Sequence, residues 1–166
     1  MNAQTAIQHQ LAILHGGLSQ LLPNTDPSTL NKSLPAAELG SVGAIFAHLV
    51  CSQDAFVQAR FQGKPTIFES GGWAAKTGVP FVGEQSLEVA RSITIDPATF
   101  QPYAQEVFAA TEAYLARVPD AELDRMIPTG PMEQSIGWNI ALLGLHTSSH
   151  AGEIGALLGI QGTQLG

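Results

Sequence analysis

The stretch that decides the fold is residues 135–159, SIGWNIALLGLHTSSHAGEIGALLG. Its apolar side chains recur at intervals of three and four residues, which is the spacing of one face of an α-helix. They are Ile136, Ile140, Leu143, Ile154 and Leu157. Ser135 comes directly before the first of them and is a suitable N-cap, because its hydroxyl can accept a hydrogen bond from the first helical turn. We therefore predict a helix from Ser135 to about Gly159.

Three earlier segments show the same helical spacing. The first ends at Pro23, and the second begins after Ser41 and ends near Gly63. The third begins at Asp96, where a capping residue followed by proline is a typical start signal, and ends before Pro119. The apolar positions of these segments are Ile7, Leu11, Leu14, Leu18 and Leu21; Val42, Ile45, Leu49 and Phe56; and Phe100, Tyr103, Val107, Ala110 and Tyr114.

Four amphipathic helices of about 20 residues each predict an all-α four-helix bundle. No β pattern competes with them. We find no internal repeat, and a chain of 166 residues is of ordinary size for one domain. Residues 1–166 are therefore predicted to form a single domain.

The connection between the second and third helices is unusually long. It runs from Gly63 to Ile95, whereas helix–helix connections in bundles have about 2–8 residues. It is rich in glycine and carries Phe68, Trp73 and Phe81. Two interpretations stay open: these aromatic side chains fasten the crossover to the bundle, or the crossover faces a substrate.

Composition excludes several classes of function. The chain has 7 basic and 14 acidic residues, a formal net charge of −7, which disfavours contact with nucleic acids and anionic membranes. No apolar run approaches the roughly 20 residues that span a bilayer. No basic residue precedes Lys32, so a secretory signal is not expected, and the single cysteine, Cys51, cannot form an intrachain disulfide. We predict a cytoplasmic protein that binds neither nucleic acid nor a membrane.

His146 and His150 form the strongest chemical signal. Residues four apart on a helix stack on one face, so two imidazoles can bind one metal ion from the same side. Both belong to the apolar stripe and should point inward, where a shared ion would satisfy two otherwise buried polar groups. Thr147 stands where zinc proteases of the His-Glu-x-x-His type carry their general base, so peptidase activity is not expected.

His48, in the middle of the second predicted helix, is the natural third ligand. It lies between Ile45 and Ser52 on the border of the core, and three histidines from two helices would leave open positions on the ion. The alternative is a hydrogen-bonded histidine at a helix–helix contact. His15, at the edge of the first apolar stripe, could support the site from behind the ligands, whereas His9 should be solvated.

The order of these histidines resembles the DinB-like family of metal-binding four-helix bundles. The resemblance rests on Phe46-Ala47-His48-Leu49 and on the stretch from Leu145 to Ile154. It extends to the WAAKTG sequence at residues 73–78, to the spacing of Tyr103, Val107 and Thr111, and to the closing Leu158-Gly159. It implies an up-down-down-up bundle, a His48–His146–His150 triad on nickel, zinc or a similar divalent ion, and a homodimer.

The resemblance also implies a range of activities. Some relatives are thiol-dependent S-transferases or isomerases that use glutathione, mycothiol or bacillithiol. We therefore expect a metal-dependent transferase, isomerase or hydrolase that acts on a small molecule, and the resemblance implies a thiol as its partner. The alternatives are a non-catalytic metal- or ligand-binding module and a structural dimer stapled by the ion. Cys51 or Glu153, where many relatives carry glutamine, could complete the coordination shell and favour the structural alternative.

Overall fold

Four long helices make up most of the computed structural model, which describes residues 3–34, 40–83, 89 and 92–163. They are α1 (Ala3–Asn24), α3 (Val42–Asp54), α6 (Pro97–Leu115) and α8 (Ile136–Ile160). Within the described residues, the short helices between them are α2 (Pro27–Leu30), α4 (Ile67–Ser70), α5 (Trp73–Thr77) and α7 (Asp120–Leu123). The described part of the chain is mostly helical, which confirms the predicted all-α class.

The predicted starts of three long helices are confirmed by their caps. Ser41 Oγ accepts a hydrogen bond from the backbone nitrogen of Ala44 at 3.1 Å, and Ser135 Oγ accepts one from Trp138 at 3.1 Å. The carboxylate of Asp96 accepts one from the nitrogen of Ala98 at 3.0 Å. Each cap satisfies a backbone donor that has no partner within its own helix.

The second of the four predicted helices is a regular α-helix only in its first part, α3. After Asp54 the chain continues as a π-helix from Ala55 to Phe61. Val57 and Phe61 of this segment are buried in the smaller of the two core clusters. The periodicity of the sequence places an α-helix here and does not reveal the change of helix type.

The long helices pack so that the two that carry the histidine triad are neighbours. Helix α3 packs against α6 and α8, and α1 packs against the same two helices. Fully buried aromatic side chains, Phe46, Phe100 and Tyr103, form the centre of the larger of the two core clusters. The contact between α3 and α8 is what brings residues about 100 positions apart in the sequence into one site.

A small β-hairpin precedes α8 and corrects the expectation that the chain has no β structure. Strand β1 (Met126–Thr129) pairs antiparallel with β2 (Met132–Ser135), with Thr129 opposite Met132. Gly130 has a φ of +60° at the first turn position, and proline fixes a negative φ at the second, as type II′ turns require. Strands of four residues are too short to show a convincing alternation, which is why the sequence did not reveal them.

The crossover forms two short helices between Gly63 and Val82. Its helices α4 and α5 begin soon after the π-helix, and residues 84–88 and 90–91 lie outside the described part of the chain. The buried carboxylate of Asp54 accepts hydrogen bonds from the nitrogens of Ile67 (2.8 Å) and Phe68 (2.9 Å) and from the Tyr103 hydroxyl (2.9 Å). Phe68 and Trp73 pack around the Tyr103 ring, with centroid distances of 5.3 and 5.6 Å. These contacts support the interpretation that the aromatic residues fasten the crossover.

A chain of polar side chains, buried except for the exposed Glu112, links all four long helices beside the histidine triad. His15 on α1 contacts Glu112 of α6 through Nδ1 at 2.8 Å and Gln53 of α3 through Nε2 at 3.0 Å. The amide nitrogen of Gln53 then donates to Thr147 Oγ1 of α8 at 3.1 Å. His15 also stacks on Phe108, with ring centroids 4.3 Å apart. His15 therefore joins the helices to one another and does not contact the triad's imidazoles.

None of the helices within the described residues has the length and apolar character needed to cross a membrane.

Candidate metal centre

The structure brings the three predicted ligands together. His48 projects from α3, and His146 and His150 project from successive turns of α8. One candidate ligand atom from each ring lies within 4.8 Å of the other two. The ring centroids are separated by 5.4 Å between His48 and His146, 5.2 Å between His48 and His150, and 4.4 Å between His146 and His150. His150 is buried and the other two are half-buried. This is the arrangement expected of a facial set of three nitrogen ligands.

His48 is oriented by the crossover. Its Nδ1 lies 3.0 Å from the carbonyl oxygen of Val82, and because a carbonyl only accepts, Nδ1 carries the proton. The lone pair of the neutral ring is then on Nε2. A second ring nitrogen that donates to a backbone carbonyl is the usual way in which a metal-binding histidine is held in place.

Glu153 orients His150 in the same way. Its Oε2 lies 2.6 Å from His150 Nδ1, which therefore donates to the carboxylate. The Nε2 atom of His150 is then the acceptor nitrogen of the ring, and in the metal-free site it accepts a hydrogen bond from the Nε2 atom of His146 at 3.1 Å. Two nitrogens bound to one ion at about 2.0–2.1 Å are separated by roughly 3.0–3.4 Å, so this pair needs little movement to share an ion.

Burial favours the neutral form of His146 and His48. Burial, with further contributions from His150 and His48, lowers the pKa of His146 to about 4. Burial also lowers the pKa of His48. The Nδ1 atom of His146 is buried without a hydrogen-bond partner. Three imidazoles gathered at one place suit a divalent cation, because a cation can bind a nitrogen of each ring at once.

The two residues that could have closed the coordination shell are engaged elsewhere. Cys51 is fully buried, and its Sγ lies 3.8 Å from the Tyr103 hydroxyl. Burial raises the pKa of the Cys51 thiol to about 11, so it stays protonated and is a poor ligand. Glu153 contacts His150 Nδ1, as described above. Within the described residues, the metal-ligating group consists of the three histidines and has no fourth protein ligand.

The aromatic side chains Trp73, Tyr103 and Trp138 do not line the cavity described below. Trp73 and Tyr103 are buried in the core, and Trp138 is 44% exposed on α8. A cavity of about 580 Å³ is instead lined by residues of α4 and α5 together with Phe81, one residue before the Val82 carbonyl that holds His48. None of the triad histidines lines it.

Sequence reasoning identified all three candidate ligands but missed part of their support. His48 contacts the backbone carbonyl of Val82, and because every residue has such a carbonyl, the sequence gives no sign of this contact. Glu153 could be found because it follows His150 by three residues on the same helix.

We expect Glu153→Gln to weaken metal binding. A glutamine keeps an acceptor oxygen for the Nδ1 proton of His150 but removes the negative charge, so we expect a loss of about 10-fold in metal affinity, the lower end of the range for lost supporting contacts. Titration calorimetry with zinc on metal-free protein measures the change. Glu133→Gln is the matched control, because Glu133 is exposed on β2 and the substitution removes the same charge. Equal zinc affinities for the two variants would contradict the role of Glu153.

Comparison with known proteins gives one family and a shared fold. The model of the DinB superfamily matches residues 10–154. The crystal structure of a conserved protein from Enterococcus faecalis is similar, with a TM-score of 0.79 and 18% sequence identity over 95% of each chain. At that identity the likeness shows the fold alone. No curated protein matches the chain.

Proposed function

The chain belongs to the DinB superfamily, and from this premise we propose that His48, His146 and His150 bind one divalent ion, nickel or zinc. Three imidazoles, with one ligand atom each within 4.8 Å of the others, are the observation that carries the proposal. Two of the rings have their Nδ1 protons fixed by Val82 and Glu153, so their Nε2 atoms are left to bind the ion. Imidazole nitrogen suits both metals.

The ion has an open coordination position in this proposal, which favours chemistry over a purely structural role. Structural zinc sites are usually closed by four protein ligands, whereas catalytic sites keep a position free. Cys51 is a buried, protonated thiol and Glu153 serves His150, so neither supplies the fourth ligand. We therefore favour a metal-dependent transferase, isomerase or hydrolase acting on a small molecule, with a thiol as partner.

The chain's own residues would prepare this chemistry. When bound, the divalent ion supplies Lewis acidity towards a thiol or a carbonyl group. Val82 and Glu153 keep the Nδ1 protons of His48 and His150 in place, so that the Nε2 atoms stay deprotonated. Burial of His146 keeps its ring neutral well below pH 6.5. These contacts define a preformed set of ligands that exchanges few protons when it is loaded.

Further properties belong to the same proposal. We propose an up-down-down-up order for the four long helices, a single domain over residues 1–166 and a homodimer in the cytoplasm. The homodimer is proposed from the resemblance to the DinB superfamily. The acidic net charge supports a small-molecule partner over nucleic acid.

Cobalt substitution tests the proposed activity. We expect glutathione, mycothiol or bacillithiol to change the visible absorption of the cobalt-loaded protein, because a thiolate that enters the open position adds a sulfur-to-cobalt charge-transfer band. Cys51→Ala should show the same change, which excludes the protein's own thiol as its source. A cobalt-loaded protein that responds to none of the three thiols would contradict the thiol-dependent activity and favour a binding module.

A further inference from the structure

We propose that residues 82–83 of the crossover form a latch on α3 that positions His48 for metal binding, and that Gly83 is required because the latch has no room for a side chain. The latch consists of two contacts: the Val82 carbonyl with His48 Nδ1 and the Gly83 carbonyl with Ser52 Oγ. This inference rests on the proposed metal-binding function and assigns positioning residues to it.

The two contacts lie on the same stretch of α3. His48 Nδ1 donates to the Val82 oxygen at 3.0 Å, and Ser52 Oγ donates to the Gly83 oxygen at 2.9 Å. Since Ser52 follows His48 by one helical turn, both donors face the crossover from one side of the helix. Successive carbonyls of the crossover therefore accept from successive turns of α3. Two such hydrogen bonds fix both the position of the crossover along the helix axis and the distance between the crossover and the helix.

The side chain of Val82 adds a third anchor. It is fully buried and belongs to the larger core cluster. Its backbone carbonyl can therefore move little relative to His48. An acceptor that is held by packing fixes the tautomer of the imidazole more firmly than a mobile side chain or a water molecule would.

Because Gly83 has no side chain, the crossover can approach the backbone of α3 closely. A Cβ atom at this position would lie 2.5 Å from the carbonyl oxygen of Cys51 and 2.7 Å from its carbonyl carbon. Both atoms belong to the backbone of α3 and cannot rotate away. Gly83 is not among the glycines with positive φ, so the requirement is for space and not for an unusual backbone conformation. Any side chain must push the crossover off the helix and lengthen both latch contacts.

The latch decides which nitrogen of His48 faces the other two histidines. If the Val82 carbonyl moves away, the proton of the neutral ring is free to occupy Nε2, and that tautomer cannot bind the ion through Nε2. The ring also gains rotational freedom. Both effects weaken metal binding without removing a ligand.

Gly83→Ala tests the latch, with Gly16→Ala as the matched control. A Cβ atom at Gly16 on α1 meets no heavy atom within 4 Å. We expect Gly83→Ala to bind zinc about 10–100-fold more weakly than the wild type, the range seen when contacts that support ligands are lost. Gly16→Ala should bind zinc as the wild type does. Ser52→Ala, which adds no bulk, should weaken binding about fivefold through the loss of the Gly83 contact. Ser52 Oγ also lies 3.5 Å from His48 Nε2, so this variant is compared with Gly83→Ala, which keeps Ser52.

Nitrogen-15 NMR of the metal-free proteins supplies a readout that a general loss of stability would not move. In the wild type, the His48 ring should show one predominant tautomer with the proton on Nδ1. In Gly83→Ala and Ser52→Ala, the chemical shifts of its two nitrogens should move towards each other as the tautomers mix. Ser52→Ala keeps the test decisive if Gly83→Ala fails to fold.

The outcomes separate the latch from the proposed function. A wild type that takes up no metal refutes the function, whereas the tautomer of His48 in the metal-free protein still tests the latch. If the wild type binds metal and both variants keep its affinity and its His48 tautomer, the latch is refuted and the metal-binding function stands.

Discussion

His150→Ala should bind zinc or nickel at least 100-fold more weakly than the wild type. Four-ligand zinc sites contribute about 10–16 kcal/mol of apparent binding free energy, so one ligand accounts for roughly 3 kcal/mol or more. We expect His150 to contribute at least this much to the binding free energy, because it is the buried member of the triad and its Nε2 lies 3.1 Å from that of His146. The substitution leaves two ligands, which hold an ion weakly. Competition with a chromophoric chelator measures the affinity.

The melting temperature should report the same loss. A metal ion that binds only the folded state, at a free concentration 1,000 times its dissociation constant, adds about 4 kcal/mol to the free energy of unfolding. Metal should therefore raise the melting temperature of the wild type and leave that of His150→Ala nearly unchanged. His9→Ala is the matched control, because His9 is exposed on α1. If His150→Ala retains the affinity of the control, His150 is not a ligand.

The second large effect is a loss of stability of the metal-free protein in mild acid. The pKa of His146 falls from 6.5 to about 4 on folding, because the ring is buried beside His150 and His48. Between these two values the unfolded chain binds a proton that the folded chain does not, so the free energy of unfolding decreases as the pH falls. Above pH 6.5 this contribution is constant. The decrease is on the order of 3 kcal/mol at most, since partial exposure of the ring reduces it.

Urea unfolding in the presence of a chelator, at pH values from 7.5 to 4.5, measures this dependence. Other groups contribute, because burial lowers the pKa of His48 and His15 and raises that of Asp54. The difference between the wild type and His146→Gln isolates the one ring. The variant should show the smaller loss of stability in acid. Parallel curves for the two proteins would contradict a buried, neutral His146.

Local signals in the sequence predicted the helices well. The caps Ser41, Asp96 and Ser135 act within one turn, so each was visible in a few residues. Proline inside α1 shows a limit of such signals. The helix continues one residue past Pro23, and the Gln101 side chain donates to the Ser19 carbonyl, the acceptor that proline leaves without its usual donor, at 3.4 Å. That contact comes from another helix, and the sequence does not show it.

The candidate site was predictable where its geometry follows from one helix. His146 and His150 share a face because they are four residues apart, and Glu153 reaches His150 from the following turn. His48 could be proposed because it also borders the core. The support from Val82 and Gly83 could not be predicted, since it depends on how closely a distant crossover approaches α3.

Elemental analysis of untagged protein, purified without chelators or added metal, tests the central claim most directly. We predict about one divalent ion per chain, nickel or zinc, and its loss from His150→Ala prepared in parallel. A wild type that contains no metal and takes up neither zinc nor nickel on titration would contradict the metal centre. His48, His146 and His150 would then be core residues, and the proposed chemistry would have no basis.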